Sequence, residues 1–366
     1  MKVLELVADG APGGGTTVVL ALVEDTAAQD DWQVHLCTQD QSYGLARGKA
    51  LGVGTTGVDF FRGRLSFEPP RRLRALIAAE RPDLIHVHGA RAGLSLSRAM
   101  APGARPVLYT VHGYHFEQKP WPLKRLAMMA ERRISQFADH TVFVCEHDRK
   151  LAQTHGLLGQ RPSSVVYNGI LPDELPPAAP DDPKRIAFLG RLCDQKHPEM
   201  VIDVAEELAE EGFTFVVVGG GDLLESLRES VERRGLSSII SLTGALPRDE
   251  ALEAIRSAGI LMMPSRWEGF PMVPLEAMSM GIPVVAAAVS GVPEVIEYER
   301  NGLLVGDRSA GAYASALRRI AGDAAFRQSM ILAARETVNG RFLRRHMSQA
   351  YLDLYEGLVD RQRAGA

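Results

Sequence analysis

The chain has 366 residues, 46% of them apolar and 23% charged, with a net charge of −4. That length exceeds what one hydrophobic core usually serves, so two domains are expected, in a composition ordinary for soluble globular proteins. No stretch approaches the roughly 18 uninterrupted apolar residues a membrane-spanning helix needs.

The opening "MKVLELVADGAPGGG" is broken by Glu5 and Asp9, and its apolar run is too short for a signal peptide. Cys37, Cys145 and Cys193 stand far apart, with no disulfide-like or metal-ligand spacing. A reduced, cytosolic protein without a structural metal is the expectation. Residues 1–172 carry 20 Lys and Arg against 16 Asp and Glu, and the remainder 21 against 29. A basic first half attracts an anionic substrate or an acidic membrane surface, although solvated surface charge explains it as simply. No nucleic-acid partner is expected.

In the first half, β-rich runs alternate with helical patterns. The runs are "VLELVAD", "QVHLCTQ", "GVDFF", "PDLIHVHG", "PVLYTVHG", "HTVFVCE" and "SVVYNG". Several are almost continuously apolar, as strands buried on both faces of a parallel sheet should be. Amphipathic stretches such as "PPRRLRALIAAE" and "LKRLAMMAERRISQFA" lie between them, which implies right-handed βαβ units in a doubly wound sheet.

The segment "LPDELPPAAPDDP", residues 171–183, has five prolines and four acids and reads as an inter-domain linker. The alternation then restarts with "RIAFLG", "FTFVVVGGG", "IISLTG", "GILMMPS", "PVVAAAV" and "GLLV", and the chain is helical from Ala324 to Ala366. The expected organisation is a first domain over 1–170, a linker over 171–183, a second domain over 184–343, and a terminal helical segment over 344–366. A ligand cleft is expected where the C-terminal edges of the two sheets face each other.

Both domains place glycines after a strand. In "VADGAPGGGTTVVLALV", Gly13, Gly14 and Gly15 open a helix, where backbone amides approach an anion closely. The spacing is not a dinucleotide fingerprint, so this loop is a weak signal by itself. In "FLGRLCDQKHPEM", Arg191 and Lys196 put two mutually repelling cations on one loop, and a diphosphate gives that arrangement a purpose. "VVVGGGD" reads equally well as a tight turn.

In "SRWEGFPMVPLEAMSMGIPVV", Glu268 sits on a loop and Gly269, Phe270 and Pro271 turn the chain. Met272–Met280 then fits a short helix whose N-terminal amides face an anion. Glu276, one turn inside, suits a ribose diol, and Glu268 suits the hydroxyls of a second sugar. Taken singly, each glutamate is a helix cap or a surface acid. Together with Arg191, Lys196 and the glycine turn, the pair fits sugar, diphosphate and ribose in that order.

These segments resemble the E-x7-E motif of the retaining nucleotide-sugar glycosyltransferases of family 4, which have the GT-B fold. The resemblance extends over the glycine loop, "PDLIHVHG", "VHG" at His112, "VVYNGI", "GRL" through Lys196, the glutamate segment and "SGVPEVI". It implies two Rossmann-like domains facing across a cleft, with the C-terminal helix crossing back onto the first. It also implies that Glu276 holds the donor ribose, while Arg191, Lys196, the amides of Met272 and Val273, and the Gly14–Gly15 turn face the diphosphate. Glu268 with Gly269, Phe270 and Pro271 would grip the transferred sugar. His112, at a strand exit in "TVHGYHFE", would touch that sugar beside the reacting centre, and His112 and Glu268 are the catalytic candidates. His86 and His88 read first as core packing.

The pattern departs from the family in two places. His197 stands where a glycine often follows the loop lysine, and "VVAAAVSG" lacks the usual hydroxyl residue and acid. No Asp-x-Asp ends a strand, so metal-independent catalysis is expected, with the cations stabilising the leaving diphosphate. The resemblance implies retention by same-face attack, a UDP-sugar before a GDP-sugar as co-substrate, and no further cofactor. The acceptor would be a bacterial surface glycan or a lipid-linked one.

Two alternatives use the same frame: a nucleotide-sugar epimerase working through His112 and Glu117, and a nucleotide-sugar binding protein without turnover. The helix "KPWPLKRLAMMAERRISQF" places Leu123, Leu126, Ala127, Ala130, Ile134 and Phe137 on one face. Packing accounts for that face, and Trp121 with nearby cations adds the prospect of peripheral contact with the inner face of the cell membrane.

Overall fold

The computed structural model describes residues 1–63, 66–177 and 182–365. The chain divides into two compact units, residues 1–169 with 344–366, and residues 170–343. The terminal segment therefore belongs to the first unit.

The first unit runs β1 (Lys2–Val7), α1 (Gly14–Ala27), β2 (Gln33–Thr38), α2 (Tyr43–Ala50), β3 (Gly54–Gly57), α3 (Glu68–Glu80) and β4 (Leu84–His88). It continues with α4 (Gly89–Ala99), β5 (Val107–Val111), α5 (Trp121–Phe137), β6 (His140–Phe143), α6 (Glu146–Thr154) and β7 (Ser163–Val165). Its seven strands are ordered β3-β2-β1-β4-β5-β6-β7 and every pairing is parallel. The order reverses between β1 and β4, and such sheets bind ligands at the carboxyl ends of the strands beside that reversal. β4 and β5 are buried along their whole length, as their continuous apolar runs require.

The second unit runs β8 (Asp182–Leu189), α7 (Glu199–Glu207), β9 (Thr214–Val218), α8 (Leu224–Arg233), β10 (Ile240–Gly244), α9 (Arg248–Ile255) and β11 (Ala258–Met263). It continues with α10 (Met272–Met280), β12 (Val284–Ala287), α11 (Val292–Val295), β13 (Leu303–Val305), α12 (Ala310–Gly322) and α13 (Ala324–Arg341). Its six parallel strands are ordered β10-β9-β8-β11-β12-β13, with the reversal between β8 and β11. Ser309 and Asp323 cap α12 and α13 by accepting from Ala312 N–H and Phe326 N–H.

The last helix, α14 (Arg344–Gly365), packs on the first unit. Arg344 donates to both carboxylate oxygens of Asp25, to Glu24 and to the Ala21 carbonyl of α1. Tyr351 and Tyr355 are 1% and 0% exposed, so this helix is part of the core.

Three elements differ from the sequence expectation. "GVDFF" is not the third strand. The strand is Gly54–Gly57, and Val58 and Phe60 bury their side chains from a turn in which Phe60 N–H bonds the Gln39 side chain. An edge strand needs partners on only one side, so the small Gly-Thr-Thr-Gly run suffices. The linker is not wholly irregular either: Pro172–Glu174 forms a 3-10 turn and β8 starts at Asp182, while residues 178–181 of it lie outside the described residues. Finally, α5 does not bury one continuous face. Ile134 and Phe137 are buried, whereas Trp121, Leu123, Leu126 and Met129 are exposed.

Candidate functional site

In the second unit the candidate residues converge on the carboxyl ends of β8 and β11, the strands flanking the reversal. Three contacts draw their exit loops together. Arg266 N–H donates to the Gln195 carbonyl (2.8 Å), Gln195 Nε2 donates to the Trp267 carbonyl (3.1 Å), and Arg266 pairs with Asp194 (3.1 Å). Glu268, 6% exposed, accepts from Lys196 Nζ (2.5 Å) and from Ser265 Oγ (2.6 Å) on one carboxylate oxygen. The two cations of the β8 loop thus differ. Lys196 is matched by Glu268 from the other loop, which sequence reasoning did not foresee, while Arg191 is exposed.

The Gly-Phe-Pro turn leads into α10, which spans Met272–Met280 as its sequence suggests and stops at Gly281. Gly281 sits at φ 80°, the left-handed conformation that favours glycine at a helix C-terminus, and its nearest neighbour is the mobile end of the Arg335 side chain. The N-terminus of α10 has Pro271 as N-cap and no side-chain cap, and Pro274 carries no N–H. Met272 and Val273 therefore carry the first-turn amides that have no acceptor within the helix. Phe270 packs its ring on Phe342, 5.3 Å between centroids.

Glu276, also 6% exposed, meets Arg248 of α9, Nη2 to Oε1 at 2.8 Å. Burial raises its pKa and Arg248 opposes that shift. Neither glutamate is a surface acid, and each is held by one cation reaching across from another element.

The "VVVGGGD" loop has a packing role. A Cβ on Gly219 would lie 1.8 Å from the Gly190 carbonyl oxygen, so glycine lets this turn press against the β8 exit. His197, in place of the family's glycine, has φ 50°, the left-handed region that glycine favours.

In the first unit, Gly13 is the uncapped N-cap of α1, with Gly14 and Gly15 as its first two residues. Both are exposed, and a Cβ on Gly15 would meet nothing within 4 Å. Open space stands at that helix N-terminus.

His112 directly follows β5 and is half-buried. Its Nε2 lies 2.9 Å from His88 Nδ1, the rings stacked at 26°. Burial, then the neighbouring histidines, hold its pKa well below the ordinary value. Glu117, the suggested acid/base partner, pairs instead with Lys124 (3.5 Å) and His155 (3.8 Å). His86 and His88 are buried but are not simple packing residues, because both bond to Glu5. Sequence reasoning missed Glu5, although its signal was there: a single acid inside the apolar strand "VLELVAD". Among the described residues, these three form the one cluster of potential metal ligands, with ligand atoms within 4.8 Å of each other.

Two all-parallel, doubly wound units in tandem, each with a helix N-terminus that lacks a side-chain cap after one of its strands, make up the GT-B architecture. Sucrose-phosphate synthase of Thermosynechococcus elongatus has the same fold, with a TM-score of 0.81 at 20% identity over 98% of each chain. Residues 12–174 match Glycosyltransferase Family 4 and residues 174–337 match Glycosyl transferases group 1. The GDP-mannose-dependent alpha-(1-6)-phosphatidylinositol monomannoside mannosyltransferase of Mycobacterium tuberculosis is 30% identical over 294 residues, 74% of this chain and 75% of that protein. The UDP-Gal:alpha-D-GlcNAc-diphosphoundecaprenol alpha-1,3-galactosyltransferase of Escherichia coli is 26% identical over 273 residues, 69% of each. The chain belongs to glycosyltransferase family 4.

Proposed function

We propose that the chain transfers a hexose from a nucleotide-diphosphate sugar to a glycan or lipid-linked acceptor of surface-polysaccharide or glycolipid synthesis, retaining anomeric configuration and using no metal. The observation that carries this reading is the pair of buried carboxylates, Glu268 and Glu276, on either side of the uncapped α10 N-terminus, each with a cation in contact. The two named relatives support it, since one uses GDP-mannose on a phosphatidylinositol mannoside and the other UDP-galactose on a lipid-diphosphate sugar. A UDP-sugar is the first choice of donor and a GDP-sugar the second.

In this reading Glu276 accepts from the ribose diol, releasing Arg248 in part. The diphosphate lies against the amides of Met272 and Val273, with Arg191 and Lys196 balancing its charge. Glu268, with the main chain of Gly269, Phe270 and Pro271, orients the hexose. The acceptor oxygen bonds to C1 on the face from which the diphosphate departs. The C1–O bond to the β-phosphate breaks, and the acceptor proton passes to that leaving oxygen. Fixed cations and amides stabilise the developing negative charge, a preorganised electrostatic contribution.

The exposed Trp121, Leu123, Leu126 and Met129 of α5, interleaved with Lys124, Arg125 and Arg132, would rest on an anionic bilayer and bring a lipid-linked acceptor within reach. No helix among the described residues is long and apolar enough to cross a membrane.

Thermal stabilisation by UDP, GDP, ADP and TDP and their common sugar conjugates, with EDTA present, tests the donor site. The expected result is a higher melting temperature with one diphosphate, undiminished by EDTA. No shift with any of them, or a shift abolished by EDTA, counts against the reading.

A further inference from the structure

A continuous polar chain runs through the core of the first unit and ends at His112. Glu5 of β1 and His86 of β4 are 0% exposed and His88 is 2%. Tyr355 of α14 donates from Oη to Glu5 Oε1 (2.7 Å) and lies 2.6 Å from His86 Nδ1, whose Nε2 is 2.8 Å from Thr110 Oγ1. Glu5 Oε2 is 2.8 Å from His88 Nε2, and His88 Nδ1 is 2.9 Å from His112 Nε2. The three ligand-capable side chains are therefore engaged in hydrogen bonds, which accounts for their clustering without a metal.

The chain has a direction. An ionised carboxylate only accepts, so His88 must donate through Nε2. A neutral imidazole has one N–H, which leaves the Nδ1 of His88 as an acceptor. The facing Nε2 of His112 must then donate, and the other nitrogen of a neutral His112, Nδ1, is left as a bare acceptor. The charge states agree with this. Burial would raise Glu5, but His86 and the hydrogen bonds outweigh it and hold its pKa well below the carboxylate range. Burial lowers His88 to about 4 and also keeps His112 neutral near pH 7.

We propose that Glu5, acting through His88 and steadied by Tyr355, is a positioning residue that fixes His112 as the Nε2–H tautomer and so offers Nδ1 to a substrate hydroxyl. That the hydroxyl belongs to the donor sugar rests on the function proposed above. The tautomer itself does not.

The test is long-range 1H–15N correlation spectroscopy of the full chain labelled with 15N-histidine, at pH 7 with EDTA and no nucleotide. His112 is assigned by the loss of its signals in His112→Gln. The expected spectrum shows a protonated Nε2 and a bare Nδ1 in the wild type and in Tyr355→Phe, which keeps the carboxylate. In Glu5→Gln, whose amide donates or accepts, the expected signals are those of mixed tautomers.

A wild-type His112 protonated on Nδ1 or on both nitrogens overturns the proposal, as does an unchanged tautomer in folded Glu5→Gln. If Glu5→Gln does not fold, the wild type and Tyr355→Phe still decide the tautomer. A correct tautomer in a protein that binds no nucleotide sugar would refute the donor reading and leave this inference standing.

Discussion

Arg248 and Glu276 form an ion pair of 2.8 Å in which the carboxylate is 6% exposed and the guanidinium edge stands partly in solvent. The buried partner depends on the exposed one. Glu276 has a raised pKa, from burial first and against the pull of Arg248. Its ionised form is thus disfavoured in the fold, so the stability linked to it is greatest below the ordinary value of 4.5 and is lost as pH rises through the raised one. Removing Arg248 raises the pKa further. Arg248→Ala should cost about 1–3 kcal/mol at pH 8 and clearly less at pH 5. Chemical denaturation at the two pH values measures this, and an equal loss at both would contradict the pairing.

Glu131 gives a second pH dependence with the same sign. From α5 it accepts from Tyr109 Oη of β5 at 2.7 Å, and burial raises its pKa to about 7, with the Tyr109 bond opposing. Its linked stability is present in full below 4.5 and lost as pH rises through about 7. Glu131→Gln should therefore be more stable than the wild type at pH 8, by about 1–2 kcal/mol, and no more stable at pH 4. Melting curves across that range decide it; a destabilised variant at pH 8 would show that the carboxylate is held as an anion.

Lys196 is expected to act on the leaving group. Lys196→Met should lower turnover by about 10²–10³, as loss of one preorganised charge does. Initial rates with the preferred donor measure it. A rate within a few-fold of the wild type would remove the lysine from the reaction.

The exposed apolar end of α5 predicts a lipid effect separable from stability. Trp121 is 70% and Leu126 58% exposed, so Trp121→Ser with Leu126→Ser should leave the melting temperature almost unchanged. Binding to vesicles containing anionic lipid, read by co-sedimentation, should fall about 10-fold or more. Neutral vesicles should bind weakly in either case. Equal binding by wild type and variant would reassign this surface.

Much of this architecture was legible along the chain because its causes are local. Near-continuous apolar runs mark the buried parallel strands, and Pro271 and Gly281 bound α10 by the backbone each one permits. What stayed hidden depends on distant partners. Glu5 and Tyr355 are 350 positions apart, so an acid in an apolar strand gave no hint of what satisfies it. Arg248 and Glu276 belong to different helices, and Lys196 meets Glu268 across 72 positions. The third strand was misplaced because apolar Val58 and Phe60 are buried from a turn, while the strand itself is small and polar. On α5 the helical period identified one face, but the fold covers only its C-terminal half.

The most direct measurement is calorimetric titration of the preferred nucleoside diphosphate into the wild type, Glu276→Ala and Glu268→Ala. If Glu276 holds the ribose, its removal should weaken affinity about 10–100-fold. Glu268→Ala should bind the diphosphate within a few-fold of the wild type while losing turnover of the sugar conjugate. Equal losses in both variants, or undiminished affinity in Glu276→Ala, would contradict the division of roles between the two buried glutamates.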